Sequence, residues 1–248
     1  MSEPGALVCG FADEATALAA VAWLLPGESG GLLVHEGDAS VREAAIEGGE
    51  GDLEVRLKGD GVSCVATLTP RPGISTLADD GSGEAGAAAG LSAASCAARV
   101  RFGSNGNGRE IDCAGHLTRW STDPLEGAGV LRHLTFPAPD GGLLVVAASR
   151  DPGADNHGDE RVHAWRLDAE GQATSFGEAL LSTQYDENGT QTRAGLELWP
   201  AEGEAPPMRA AGFVHEETAA RLGRVSAALL HTSTEGIEGM GAYLLWRR

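Results

Sequence analysis

A chain of 248 residues, 42% hydrophobic and 22% charged, can bury a core as one large all-β domain or as two smaller ones. Its formal net charge of −18 repels phosphate backbones and anionic lipid surfaces, which makes nucleic acid and membranes poor candidate partners. We expect a cytoplasmic protein, because the acidic N-terminus lacks the basic region of a signal peptide and the longest apolar run, 15–25, is about half a membrane span.

Short apolar runs separated by turn residues dominate the N-terminal part of the chain. Residues 18–25 and 31–35 flank a Pro-Gly-Glu-Ser-Gly turn and predict a hairpin, although the first arm is rich in alanine and leucine and could instead form a helix. Residues 53–58 and 62–69 flank a Gly-Asp-Gly turn and predict a clearer hairpin. Residues 78–98 are mainly alanine, glycine, serine and acidic residues, a composition that predicts a mobile loop or linker.

Successive hairpins are predicted from residue 99 onward, because apolar or alternating runs flank turns rich in glycine, aspartate and asparagine. The paired runs are 99–102 with 110–120, 131–136 with 143–149, 162–167 with 173–176, and 180–185 with 192–199. Residues 216–230 suit either a helix or a strand, and residues 241–246 predict a last strand. This spacing indicates an all-β antiparallel barrel or sandwich, which we divide into an N-terminal half (1–98) and a C-terminal half (99–248).

Compact catalytic signatures are absent from the sequence, which has no nucleotide-binding glycine loop before a helix, no paired-histidine zinc motif and no nucleophile elbow. The four cysteines match no zinc or redox spacing, and we expect reduced, buried thiols at Cys9, Cys64, Cys96 and Cys113. A loop at 150–160 holds four acidic residues and a histidine and could bind a metal ion, but its spacing fails the EF-hand pattern. We therefore predict a solvated loop there and assign no metal site.

Strand periodicity places ionisable residues beside tryptophans, because side chains two positions apart lie on the same face of a strand. Three predicted strands share this arrangement: Asp112 and His116 precede Trp120, His163 precedes Trp165, and Glu197 precedes Trp199. The opposite faces of these strands are also partly apolar, as expected where one face packs a core and the other lines a pocket. Each pair also has a structural explanation, since a buried indole N–H needs a polar partner.

A pocket of this composition suits acid–base chemistry on an apolar substrate. Desolvation raises the pKa of a carboxyl group so that it can donate a proton at neutral pH, and indole faces stabilise the resulting cation. Capture of that cation by water gives hydration, and capture by an internal π-bond gives cyclisation. The candidate acid–base residues are Asp112, His116, His163 and Glu197, and the candidate lining residues are Trp23, Trp120, Trp165, Tyr185 and Trp199.

Five short segments follow one another in the C-terminal part: Gly-His-Leu-Thr-Arg-Trp (115–120), His-Ala-Trp (163–165), Tyr-Asp-Glu-Asn-Gly (185–189), Ala-Gly-Leu-Glu-Leu-Trp (194–199) and Glu-Gly-Met-Gly-Ala-Tyr (238–243). This pattern resembles the lipocalin-related superfamily of carotenoid 1,2-hydratase (hydroxyneurosporene synthase), which includes uncharacterised bacterial proteins, Diels–Alderases and terpene cyclases. The resemblance implies a lipocalin-like fold of two β-barrel halves around an apolar cavity, with no obligatory cofactor. Several members carry an Asp-His-Ser-Trp-Gly-like segment, whose nearest match here separates Asp112 from His116 by three residues.

Together these observations predict a cofactor-independent hydratase, cyclase or isomerase that acts on an apolar terpenoid, polyene or polyketide-like molecule. A non-catalytic, lipocalin-like carrier or sensor of a hydrophobic metabolite is the alternative, and a β-sandwich that acts through protein contacts is the third hypothesis. The expected partner is a small apolar molecule rather than nucleic acid or a membrane. The sequence leaves the oligomeric state open, with a homodimer among the options.

Overall fold

The computed structural model describes residues 5–36, 38–48, 51–58, 63–77, 88–103, 108–138, 140–154, 157–203 and 205–248. These residues form 16 β-strands joined by turns and short 3-10 segments. No helix in this part of the chain is long and apolar enough to cross a membrane.

The first eight strands form a closed antiparallel barrel, here called barrel 1. They are β1 (Ala6–Asp13), β2 (Leu18–Leu25), β3 (Glu28–His35), β4 (Asp38–Gly48), β5 (Leu53–Lys58), β6 (Ser63–Thr76), β7 (Leu91–Gly103) and β8 (Arg109–Trp120). Each strand pairs with its neighbours in chain order, and β8 closes the barrel by pairing with β1, where Cys9 lies opposite Leu117.

The remaining eight strands form barrel 2, which has the same sequential pairing. They are β9 (Val130–Pro137), β10 (Leu143–Arg150), β11 (Arg161–Leu167), β12 (Ala173–Tyr185), β13 (Gln191–Pro200), β14 (Met208–Leu222), β15 (Val225–Thr234) and β16 (Ile237–Arg247). Barrel 2 closes where β16 pairs with β9, with Ala242 opposite Thr135. The predicted all-β, antiparallel barrel fold is confirmed, in the form of two closed barrels.

An apolar layer joins the two barrels and is separate from the core inside each barrel. Strand β2 contributes to two of these cores: Ala20 and Ala22 pack inside barrel 1, whereas Val21 and Trp23 pack in the layer. Burial of both faces explains why this segment is continuously apolar, a pattern that a short strand shares with a buried helix. The helical alternative for its residues is therefore wrong.

Four tryptophans lie in the apolar layer: Trp23, Trp120, Trp165 and Trp246, each at most 2% exposed. The rings of Trp120 from barrel 1 and Trp246 from barrel 2 meet edge to face, with centroids 5.2 Å apart and planes at 68°. Indole rings bury more apolar area than other side chains, so they supply much of the contact between the barrels. Trp199, in contrast, is partly exposed on the outer face of barrel 2.

Residues 91–98 correct the prediction of a mobile loop over 78–98. They form the first part of β7, which pairs with β8 on one side and β6 on the other. Ala93 packs in the apolar layer and Ala94 inside barrel 1, so tertiary contacts on both faces override the low β-propensity of alanine. Residues 88–90 precede β7 as a short turn whose Ala88 is buried in the apolar layer, and residues 78–87 lie outside the described residues.

The junction between the barrels lies at residues 121–129 rather than at the boundary of 98 and 99 expected from the sequence. Strand β8 completes the hydrogen-bond ladder of barrel 1, so residues 99–120 belong to the first barrel. The ambiguous stretch 216–230 contains the end of β14, a turn at 223–224 and the start of β15, and the two strands pair with a register shift between Val214 and Ala219.

We predict that Trp120→Ala lowers the free energy of unfolding by about 3–5 kcal/mol, because it leaves a large void in the layer that holds the barrels together. Urea unfolding followed by circular dichroism measures this change. Trp199→Ala is the matched control, with a loss of no more than about 1 kcal/mol, because that ring already contacts solvent. Equal losses in the two variants would contradict a layer centred on the buried tryptophans.

Candidate ligand cleft between the barrels

A cleft with two chambers opens at one end of the apolar layer, where β1 and β9 end and β2 and β16 begin. The first chamber, of about 320 Å³, is lined by both barrels, including Phe11, Ala20, Cys96, Ala114, His116, Thr135, Leu143, Leu229 and Gly241. The second chamber, of about 520 Å³, is lined by residues that include Leu18, Ala19, Val34, Phe213, Thr218, His231 and Glu238. The chambers share a wall formed by Asp13, Glu14, Gly239 and Met240.

Glycines bring the strands around the first chamber into close contact. A Cβ atom on Gly241 would lie 2.2 Å from the carbonyl oxygen of Thr135, so only glycine allows β16 to approach β9 at this point. A Cβ atom on Gly10 would lie 2.5 Å from Cε1 of His116, so Gly10 makes room for the imidazole against β1. The glycines therefore fix the place of His116 in the wall of the chamber.

Two histidine–threonine hydrogen bonds cross between the barrels beside the first chamber. Nε2 of His116 on β8 lies 3.1 Å from Oγ1 of Thr135 on β9, and Oγ1 of Thr118 on β8 lies 2.9 Å from Nε2 of His133 on β9. Nδ1 of His133 lies 3.2 Å from the carbonyl oxygen of Val146 and therefore donates its hydrogen there. Nε2 of His133 is then the acceptor for the Thr118 hydroxyl, which fixes the tautomer of this ring.

Burial keeps both imidazoles neutral at neutral pH. It lowers the pKa of His116 from 6.5 to about 4, and burial together with the nearby His116 lowers the pKa of His133 to about 3. Of these two histidines, His116 belongs to the described lining of the first chamber and His133 does not. His116 therefore offers a ligand an uncharged imidazole that can exchange its bond to Thr135 for a bond to the ligand.

The thiols in the wall of the first chamber are protonated. Burial raises the pKa of Cys96 to about 12, and burial, together with the charges of Asp13 and Asp112, raises that of Cys113 to about 11. A thiol is a nucleophile only as the thiolate, so these cysteines contribute apolar surface rather than covalent chemistry. The expectation of free thiols is confirmed for all four cysteines, although Cys113 is only partly buried.

The two carboxylates among the predicted acid–base residues lie on outer surfaces. The side chain of Asp112 is 76% exposed and accepts a hydrogen bond from Nε of Arg99 at 3.0 Å. Oε1 of Glu197 lies 3.1 Å from Nε of Arg209 on the outside of barrel 2. Neither residue lines a chamber in the described part of the chain.

The predicted histidine–tryptophan pairs lie in or beside the apolar layer. His116 is the one member that lines the cleft, while Trp120 on the same strand face packs deeper in the layer. The ring of His163 stacks on that of Trp165, with centroids 6.0 Å apart and planes at 15°. Neither Trp23 nor Trp165 lines a chamber in the described lining. The structure thus does not bring the predicted tryptophans together around one cavity.

Tyr185 belongs to a separate polar cluster at the other end of barrel 2. Its hydroxyl lies 3.3 Å from that of the buried Tyr243. In the same region Nη1 of Arg132 donates to Oε2 of Glu160 at 2.9 Å, and both side chains are about 95% buried, with 4% and 5% exposed. Glu160 is the last residue of the predicted acidic loop, so one of its carboxylates holds that loop to the barrel.

The acidic loop shows no metal site in the residues that the structure describes. Asp151 forms an ion pair with Arg161, and Glu160 is committed to Arg132. Across the described ranges no three histidine, cysteine, aspartate or glutamate side chains come together as a metal-binding group. Asp155 and Asn156 lie outside the described residues.

Sequence analysis missed the residues that meet His116 from barrel 2. His133 and Thr135 lie on β9, where His133 and the adjacent Arg132 are charged or titratable residues in an otherwise apolar run. The adjacent ionisable residues in this predicted strand were the signal in the sequence that could have pointed to a functional site. It could not reveal the partner strand, because contact between β8 and β9 arises from packing of one barrel on the other rather than from strand pairing.

The fold is shared with solved structures of low sequence identity. The sequence matches no protein-family model and no curated protein. A protein from Nitrosomonas europaea with a provisional assignment as AttH is 11% identical, with a TM-score of 0.66 over 98% of this chain and 92% of that one. CghA, solved with Sch210972, is 12% identical with a TM-score of 0.55 over 98% and 89% of the two chains. A second structure of CghA is 13% identical, with a TM-score of 0.56 over 98% of this chain and 88% of that one. These likenesses support a lipocalin-like fold of paired barrels.

We predict that the protein loses stability as the pH falls below about 6.5, because the unfolded chain protonates both histidines there while the folded protein keeps them neutral to about pH 4 and 3. Between pH 7.5 and 5 each histidine lowers the free energy of unfolding by about 2 kcal/mol. Urea unfolding at several pH values measures the slope. His116→Gln is expected to reduce the slope of the free energy of unfolding against pH by the contribution of one histidine. An unchanged slope would contradict a buried, neutral His116.

Proposed function

We propose that the cleft between the barrels binds a small, largely apolar molecule and promotes its cyclisation or isomerisation. The observation that carries the proposal is a two-chambered cleft, lined mostly by apolar and small residues, with the neutral imidazole of His116 in its wall. Ligand sites have volumes of about 300–1,000 Å³ and combine apolar walls with few polar groups. Chambers of about 320 and 520 Å³ lie within this range.

Among the predicted reactions, hydration of an isolated alkene has the least support. It requires a strong acid at the reacting carbon, and Asp112 and Glu197 lie in exposed ion pairs away from the cleft. A pKa of about 4 leaves His116 uncharged at neutral pH, so it does not supply that acid. The cleft suits a molecule that is already reactive, such as a conjugated polyene or a polyketide-like chain.

Confinement and hydrogen bonding are the catalytic effects available to such a substrate. Holding a flexible chain in a folded conformation replaces an entropic barrier with binding energy. His116 and Thr135 can donate hydrogen bonds to an oxygen that gains negative charge during the reaction. Neither effect requires a cofactor, in agreement with the resemblance noted in the sequence.

A non-catalytic carrier is the second candidate function. It is favoured by one observation: the hydrogen bond between His116 and Thr135 engages these two polar groups with each other across the two barrels. In a carrier these two residues would serve to join the barrels, and the cleft would only store its ligand.

Binding is tested by titration with terpenoids, polyenes and aromatic polyketides, followed by isothermal calorimetry. We predict saturable binding of one chemical class, weakened at least tenfold in Ala114→Trp, because the new indole fills the first chamber from an exposed strand position. Ser182→Trp, on the outer face of β12, is the control and keeps the affinity of the unchanged protein. Absence of binding across the panel by a folded protein would refute both functions.

Catalysis is distinguished from carriage by His116→Leu, which removes the hydrogen-bonding imidazole from the wall of the first chamber but keeps an apolar side chain there. For a ligand of the class found by the titration, we predict that the variant forms product about 100-fold more slowly or worse than the unchanged protein, as measured by mass spectrometry. Its affinity for that ligand is expected to stay within about tenfold of that of the unchanged protein. A loss of affinity alone, with no product formed by the unchanged protein, would establish the carrier instead.

A further inference from the structure

Carboxylates are the charged groups in the lining of the cleft. Asp13 and Glu14 belong to the wall that the chambers share, and Glu238 lines the second chamber. The described lining of both chambers includes no lysine or arginine. A bound molecule that fills both chambers therefore passes Asp13 and Glu14, with Met240 in the same wall.

Ion pairs between described residues leave these three carboxylates without a cationic partner. None of the ion pairs among the described residues includes Asp13, Glu14 or Glu238. Oδ2 of Asp13 accepts a hydrogen bond from the backbone N–H of Thr16 at 3.0 Å, which commits that carboxylate to the turn after β1. The side chains of Glu14 and Glu238 are exposed and make no ion pair with the residues that the structure describes, so they are available to a ligand.

Two arginines lie close to lining residues without entering the lining. The guanidinium carbon of Arg193 lies 4.7 Å from the centre of the Phe213 ring, and Arg71 acts electrostatically on the thiol of Cys96. The guanidinium group of Arg193 thus occupies one face of the Phe213 ring, which lines the second chamber. Among the aspartates, glutamates, lysines and arginines of the described chain, only carboxylates therefore line the cleft, and both of these arginines lie outside the lining.

We propose that the cleft selects a molecule that carries a cationic amine on an apolar frame and discriminates against the corresponding carboxylate. This inference rests on the proposed function, since it assigns the charge of the ligand of the same cleft. Glu14 and Glu238 are the residues that determine the preference. An anion would face these carboxylates without a compensating cation in the lining, whereas an ammonium group is attracted to them.

The test compares three ligands that share one chain: farnesylamine, farnesol and farnesoic acid, measured by calorimetry at low ionic strength. Farnesylamine is expected to bind at least tenfold more tightly than farnesoic acid, with farnesol between them. Raising the salt concentration to 0.5 M is expected to reduce this ratio, because screening weakens interactions between exposed charges. The double variant Glu14→Gln, Glu238→Gln is expected to bring the ratio towards one, with a smaller effect on the affinity for uncharged farnesol than on the affinity for farnesylamine.

The matched control is Glu170→Gln, Glu187→Gln, which removes the same formal charge from two exposed turn positions outside the lining. It is expected to keep the preference for the amine, which separates attraction in the cleft from attraction to an acidic protein as a whole. Equal binding of the three ligands, or the same ratio in both double variants, would overturn the amine preference and leave the proposed function intact. Failure of all three to bind, together with failure of the wider panel, would refute the proposed function itself.

Discussion

The apolar layer between the barrels is the contact on which the rest of the structure depends. Strands that face it are largely buried on both sides, which favours apolar residues on both strand faces, and four tryptophans are the largest side chains in the layer. The cleft lies where this layer ends and small residues replace large ones. Binding and assembly are thus properties of the same surface, and a ligand in the cleft would extend the apolar contact between the barrels.

The polar groups of the layer follow from its low polarity. A buried hydroxyl or imidazole without a partner is costly, and here threonines and histidines from opposite barrels satisfy each other. These bonds give the barrels a fixed relative position, which apolar contact alone specifies weakly. The same surroundings keep His116 uncharged, and this decides which reactions the cleft can support.

Most of the hairpins could be predicted from sequence, because each consists of paired runs around a turn with glycine or aspartate. The site could be predicted only in part, as β8 illustrates. Periodicity correctly places Asp112, His116 and Trp120 on one strand face, yet their environments differ: Asp112 is exposed, His116 is in the cleft wall and Trp120 is fully buried. The exposure of each side chain depends on how far along β8 it lies from barrel 2. That distance is set by the packing of one barrel on the other, which local sequence does not encode. The prediction of a loop over 78–98 was wrong for its last eight residues because it, too, depended on tertiary packing. Alanine has a low β-propensity, and here the contacts on both faces of β7 make it part of a strand.

Sequential pairing within each barrel has a consequence for how the chain can be divided. Every hydrogen-bond ladder is made by one contiguous stretch, 6–120 or 130–247, and no strand crosses from one barrel to the other. A break in the backbone between residues 121 and 128 would leave both ladders complete and uncover only the apolar layer. Two separately synthesised halves would therefore expose complementary apolar surfaces, and association of the two fragments would re-form the cleft at their interface.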